Sequence, residues 1–131
     1  MSAKNILKFI KEKQVEYVDL RFTDPRGKLQ HVTQDLLTVD EDMLNNGIFF
    51  DGSSIAGWKA INESDMILKP DLSSHFIDPF FSHSTLVLFC DVMDPITKKY
   101  YERDPRSTAK KAEEYLKKTN IGDKAYFGPE P

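Results

Sequence analysis

Apolar and polar positions along the chain change period several times. In the opening stretch "SAKNILKFIKEK", Ile6, Phe9, Ile10 and Lys13 recur at helical spacing, and Ser2 stands where an N-cap would. From "YVDLRFT" the period is two. Val18, Leu20 and Phe22 face one way and Tyr17, Asp19, Arg21 and Thr23 the other, the pattern of a half-buried strand. "TDPRGKLQHVT" then puts Asp24 and Pro25 at the first two positions of a turn, and Gly27 where a left-handed residue closes a three-residue hairpin loop. The predicted strands are Glu16–Thr23 and Lys28–Thr33.

Further along, Asp40 is placed to cap a short helix that stops at Gly47. "IFF" predicts a short strand that delivers Asp51. "DMILKPD" predicts another, stopped by Pro70, and "FIDPFF" a short extended piece bent at Pro79. "STLVLFCDVMD" is nearly all apolar and rich in β-formers, which predicts a central strand covered on both faces. In "RDPRSTAKKAEEYLKKTN", Asp104 caps a helix, Pro105 occupies its first turn, and Ala109, Ala112 and Leu116 form its apolar stripe. Lys117 and Lys118 sit at its negative end. "KAYFGPEP" reads as the start of a further strand. Together these elements predict an α+β fold, a mixed sheet of about five strands covered by helices.

Composition narrows the function classes. The 131 residues are 40% hydrophobic and 30% charged, which suits a globular domain with its own core. A formal net charge of −3 offers no basic surface for nucleic acid. No apolar run approaches the roughly 20 residues of a membrane span. The lysines scattered through the first residues make a secretory signal a poor reading, so the start reads as that of a mature chain. Cys90, the single cysteine, has no disulfide or zinc partner. Its apolar setting predicts core packing and fits a cytoplasmic protein.

The candidate chemistry lies in "FFDGSSIAGW", residues 49–58, where a carboxylate stands between an apolar strand end and a glycine-serine turn. On the residues alone, Asp51 reads either as an Asx-turn acid or as a catalytic acid. His31, His75 and His83 share no ligand spacing, and Arg21, Arg26, Arg103 and Arg106 are not clustered, so packed, solvated or salt-bridged roles are the default. The glycine loops of P-loop and Rossmann proteins are absent.

Seven segments in order, "YVDLRFTDPRGKLQHVT", "FDGSSIAGW", "INESDMILKPD", "IDPFF", "CDV", "RDPRSTAKKAEEYL" and "FGPEP", resemble the N-terminal region of bacterial type I glutamine synthetases. The resemblance covers essentially the whole chain and is loosest over residues 34–46 and 73–76. It implies a β-grasp (ubiquitin-like) domain over residues 1–104, then a helix and first strand over residues 105–131 leading into a catalytic domain. It implies an enzyme that joins ammonia to glutamate with ATP through a γ-glutamyl phosphate, assisted by Mg²⁺ or Mn²⁺, and built as two stacked hexameric rings with each active site shared between neighbours. Asp51 would then complete the neighbour's ammonium site, with Ser54 lining it and Asp65 close by, although a plain turn acid also accounts for Asp65. Trp58 would pack either at that boundary or in the domain's own core. Glu130 matches the first glutamate of a "PEPE" metal motif, so it would be a metal ligand only in a longer enzyme. The chain alone is expected to be a truncated, inactive piece that binds no cofactor. The rival reading is a stand-alone β-grasp interaction module without catalysis.

Overall fold

A computed structural model describes residues 1–57 and 65–128. Ser2 accepts a hydrogen bond from the Asn5 amide and starts helix α1, Ala3–Glu12, which buries Ala3, Ile6 and Ile10. Strands β1 (Tyr17–Thr23) and β2 (Leu29–Asp35) form the predicted hairpin, with β2 running two residues further than expected. Asp24 holds the loop: its Oδ1 accepts the Arg26 and Lys28 amides, both at 2.9 Å, and Gly27 sits at φ +84°. Helix α2, Glu41–Asn46, is capped by Asp40, whose carboxylate accepts the Met43 amide at 2.8 Å.

Strands β3 (Ile48–Asp51), β4 (Asp65–Pro70), the two-residue β5 (Phe76–Ile77) and β6 (Thr85–Met93) complete a mixed sheet. Its order is β2-β1-β6-β4-β3, with β5 also paired to β6. The β1–β6 pairing is parallel and the others are antiparallel. β6 is central and buried on both faces, as its unbroken apolar run predicts. Helices α1 and α2 cover one face, where Val18, Leu20, Leu44, Met66, Leu68, Leu86, Leu88 and Val92 are sealed from water. Burying each such side chain stabilises by about 1.5–3 kcal/mol, which makes this face the main source of stability.

The opposite face departs from expectation. β1 is not merely half-buried, because Asp19 is as hidden as the core residues. Its carboxylate accepts from Arg21, His31 and Thr33 at 2.8–2.9 Å, and Arg21 also reaches Asp78 at 2.6 Å. Burial pushes the Asp19 carboxyl up, but these donors outweigh it and hold the group below the ordinary aspartate value. Thus Arg21 is salt-bridged, and His31 is engaged in a hydrogen bond with Asp19.

Helix α3, Pro105–Thr119, is fastened at its start. Asp104, fully buried, accepts from the Arg106 amide, the Ser107 hydroxyl and the Val92 amide of β6. Arg106 and Lys110 both bind Asp91, and Arg106 also binds Asp71. The predicted apolar stripe is not buried: Ala109 and Ala112 are exposed and Leu116 is half-buried, because only the first turns of α3 lie against the sheet. Residues 124–128 form no strand, since no partner strand lies beside them among the described residues. Among the described residues, no helix is long and apolar enough to cross a membrane.

Candidate functional site

Strand β3 alternates. Ile48 and Phe50 turn toward the core, and the Phe50 ring lies 5.3 Å from that of Phe22. Phe49 and Asp51 turn outward and are exposed. Gly47 is what lets β3 approach β4. It adopts φ +83°, and a Cβ there would lie 2.1 Å from the Leu68 carbonyl oxygen.

Asp51 ends β3 and caps a single 3-10 turn, Gly52–Ser54. Its Oδ1 accepts the Ser53 amide at 2.9 Å and the Ser53 hydroxyl at 2.6 Å. The Ser54 hydroxyl donates to the Asp51 carbonyl oxygen at 2.6 Å. The carboxylate therefore lies on an outward-facing bend rather than in the interior. Gly52 is not there for its dihedral freedom. The same turn recurs at Asp71, with Leu72 in the glycine's place, so the backbone is one that any residue adopts.

The strand pairing brings together what the sequence separates by fourteen residues. Asp51 is the register partner of Asp65, the first residue of β4. The intervening chain leaves from one acid and returns at the other. Directly opposed side chains in an antiparallel pair have Cβ atoms about 4.5–5.5 Å apart, and like charges so placed are destabilising. Asp51 and Asp65 are thus two exposed carboxylates in register at the same strand pair.

Of the expected site residues, Asp51, Ser54 and Asp65 thus share one edge of the sheet. Ser54 spends its hydroxyl on the turn itself. Glu130 and Trp58 lie outside the described residues. Among the described residues no group of three or more His, Cys, Asp or Glu side chains could hold a metal ion. The three histidines stay apart: His75 meets Leu72 and Phe9, while His83 meets Glu16. Cys90 is buried, and burial pushes its thiol well above the usual cysteine range, as core packing requires. Sequence reasoning passed over Ser53 and the second turn, "DLSS", whose likeness to "DGSS" is visible twenty residues downstream.

A family profile described as "Glutamine synthetase, beta-Grasp domain" matches residues 14–95. A glutamine synthetase of Rhizobium meliloti is 62% identical over 129 residues, which is 98% of this chain and 28% of that protein. One from Escherichia coli K12 is 55% identical over the whole chain, again 28% of its own length. The chain therefore spans little more than a quarter of these relatives. A cryo-electron microscopy structure of Plasmodium falciparum glutamine synthetase superposes with a TM-score of 0.84 at 26% identity, over 95% of this chain and 24% of that one.

Proposed function

Because the chain belongs to the glutamine synthetase β-grasp family, we propose that it is the N-terminal portion of an ATP-dependent glutamate–ammonia ligase and supplies an acid to a neighbouring subunit's ammonium site. Ammonium has no lone pair and cannot attack carbon. The Asp51 carboxylate attracts the cation and takes one of its protons. The freed ammonia then bonds to the acyl carbon of a γ-glutamyl phosphate, the bond from that carbon to the phosphate oxygen breaks, and the departing phosphate takes up the surplus proton of the new amide nitrogen. Asp65, opposite Asp51, adds to the negative potential, and Ser54 lines the same pocket while holding the bend.

In this reading residues 1–104 form the β-grasp domain and residues 105–131 lead into the catalytic part. The described carboxylates do not make a donor set for a divalent ion, so no step is placed on a metal here. Mg²⁺ or Mn²⁺ and ATP belong to the remainder of the enzyme, with Glu130 among the metal ligands. Assembly into two hexameric rings in the cytoplasm would let each chain serve its neighbour. The observation that carries the proposal is the exposed, in-register pair of Asp51 and Asp65. A β-grasp module used only for binding has no need of two acids opposed at a cost in stability.

The test is Asp51→Asn in the full-length enzyme. Proton-transfer contributions are typically 10²–10⁴-fold, so kcat/KM for ammonium should fall by about 10²-fold or more while ATP affinity holds. An equal loss for both substrates would refute the role.

A further inference from the structure

The chain that leaves Asp51 is held a second time, at Gly57. The Gly57 carbonyl accepts a hydrogen bond from the Arg103 guanidinium at 3.0 Å, across 46 positions of sequence. Gly57 sits at φ +90° and lies against the β1–β2 hairpin loop, so that an added Cβ would meet the Pro25 ring at 3.9 Å. Between Asp51 and Gly57, Ile55 packs against the core. Arg103 is itself carried on a fixed segment. The Tyr101 amide donates to the Val92 carbonyl at 2.8 Å, and the buried Asp104 carboxylate accepts the Val92 amide at 3.1 Å. One residue of the central strand β6 thus anchors the chain on both sides of Arg103. The loop over residues 52–57 is therefore tied to the middle of the sheet as well as to its outer strand.

We propose that Arg103 is a positioning residue for ammonium use: through the Gly57 carbonyl it fixes the path of the 52–57 loop, and with it the edge that presents Asp51 and Asp65. This rests on the reading of Asp51 given above. A reacting group must be held to within about 0.5 Å of its productive place, and contacts beyond the reacting atoms do that. The β3–β4 register fixes where the loop begins. The Arg103 bond fixes where it goes next. The guanidinium acts through the loop and not on the nitrogen or the acyl carbon.

Steady-state kinetics of the full-length enzyme test this. The net worth of one hydrogen bond corresponds to about fivefold in an equilibrium, so Arg103→Met should raise KM for ammonium about fivefold while KM for ATP and glutamate stays within about twofold. The Gly57 bond uses one N–H, so Arg103→Lys, which keeps a cationic donor on a long stem, should recover much of the loss. Gly57→Ala attacks the same bond from its other end. A side chain at φ +90° is strained and should turn the carbonyl away from the guanidinium, giving the same selective rise. The double variant should be no worse than the poorer single one, since both changes break one contact. In the purified chain, Arg103→Met should shift the amide resonances of residues 53–57 and leave the urea midpoint nearly unchanged, which separates a displaced loop from a weakened fold. Equal rises for all three substrates, a lysine variant as poor as methionine, or full additivity with Gly57→Ala would each overturn the proposal. If Asp51→Asn itself spares ammonium, the function assignment falls and this inference with it. If Asp51→Asn impairs ammonium use and Arg103→Met spares it, Asp51 keeps its role and Arg103 loses this one.

Discussion

The turns at Asp51 and Asp71 have nearly the same sequence and the same three hydrogen bonds, yet their surroundings are opposite. Asp71 follows β4 and lies against α3, where Arg106 binds it and Lys110 adds its charge. Asp51 ends β3, the outer strand of the sheet, and faces a second acid, Asp65. One carboxylate is neutralised and ties a helix to the sheet. The other is exposed on the same bend beside a like charge. Local sequence therefore makes the turn, and long-range pairing decides what its acid faces, the cationic start of α3 at Asp71 or a second acid at Asp51. That difference can be attacked from either side.

The largest effect should come from unseating β3. Gly47→Ala combines a strained φ with a Cβ driven into the Leu68 carbonyl. We expect a loss of roughly 3 kcal/mol or more, the size that backbone strain with steric overlap produces. Urea unfolding of the purified chain measures it. NMR amide shifts should move at Ser53, whose turn hangs from β3, and much less at Ser73, whose turn follows the β4–β6 pairing. A cost under about 1 kcal/mol would mean that the Asp51–Asp65 register is held by something other than this close approach.

Next in size is removal of the counter-ion from the other turn. Arg106→Met leaves Asp71 and the nearly buried Asp91 with Lys110 alone. The pairs lie between exposed and buried, so a cost of about 1–3 kcal/mol is expected, with faster amide exchange in the first turns of α3. Acid gives the sign check. Burial raises the Asp71 carboxyl, but the Ser73 donors and the charges of Arg106 and Lys110 outweigh it and hold it below the ordinary value. In the unfolded chain it titrates near about 3.9. Its contribution is thus complete above that pH and is lost as pH falls through the lower folded value. Below about pH 4 the wild type should lose stability more steeply than Arg106→Met. Parallel acid curves would show that the ion pair is not what separates the two turns.

What could be read from the chain beforehand follows the same division between local and long-range. The Asp24–Gly27 loop, the Asp40 cap, the stop at Gly47 and the Asp104 cap were legible because each is closed by bonds among near neighbours. The β-grasp fold came through the family likeness, and the profile match and the related proteins bear that fold out; the choice of the acid at 51 drew on the same likeness. Burial of Asp19 was not legible. An acid at an outward position of an alternating strand reads as solvated, and the groups that enclose it come from β2 and from Asp78, far along the chain. For the same reason Ala109 and Ala112 read as a core stripe, although spacing cannot say whether a helix has anything to lie on. The opposition of Asp51 and Asp65 needed a strand register that no single segment encodes.

The smallest effect is the one that asks most directly whether the exposed turn is arranged for stability at all. Asp65→Asn keeps size and hydrogen-bonding capacity but removes the like charge opposite Asp51. Opposed like charges destabilise a strand pair, so the variant should unfold at a slightly higher urea concentration than the wild type. The gain should be greatest at low ionic strength. In about 1 M salt the screening length shortens to about 3 Å, less than the separation of the two acids, and the gain should disappear. No gain of this kind is available at Asp71, where the neighbouring charges are positive and removing the acid can only cost. A fall in stability for Asp65→Asn, insensitive to salt, would mean that Asp65 fastens structure as Asp71 does, and the two turns would differ in position without differing in kind.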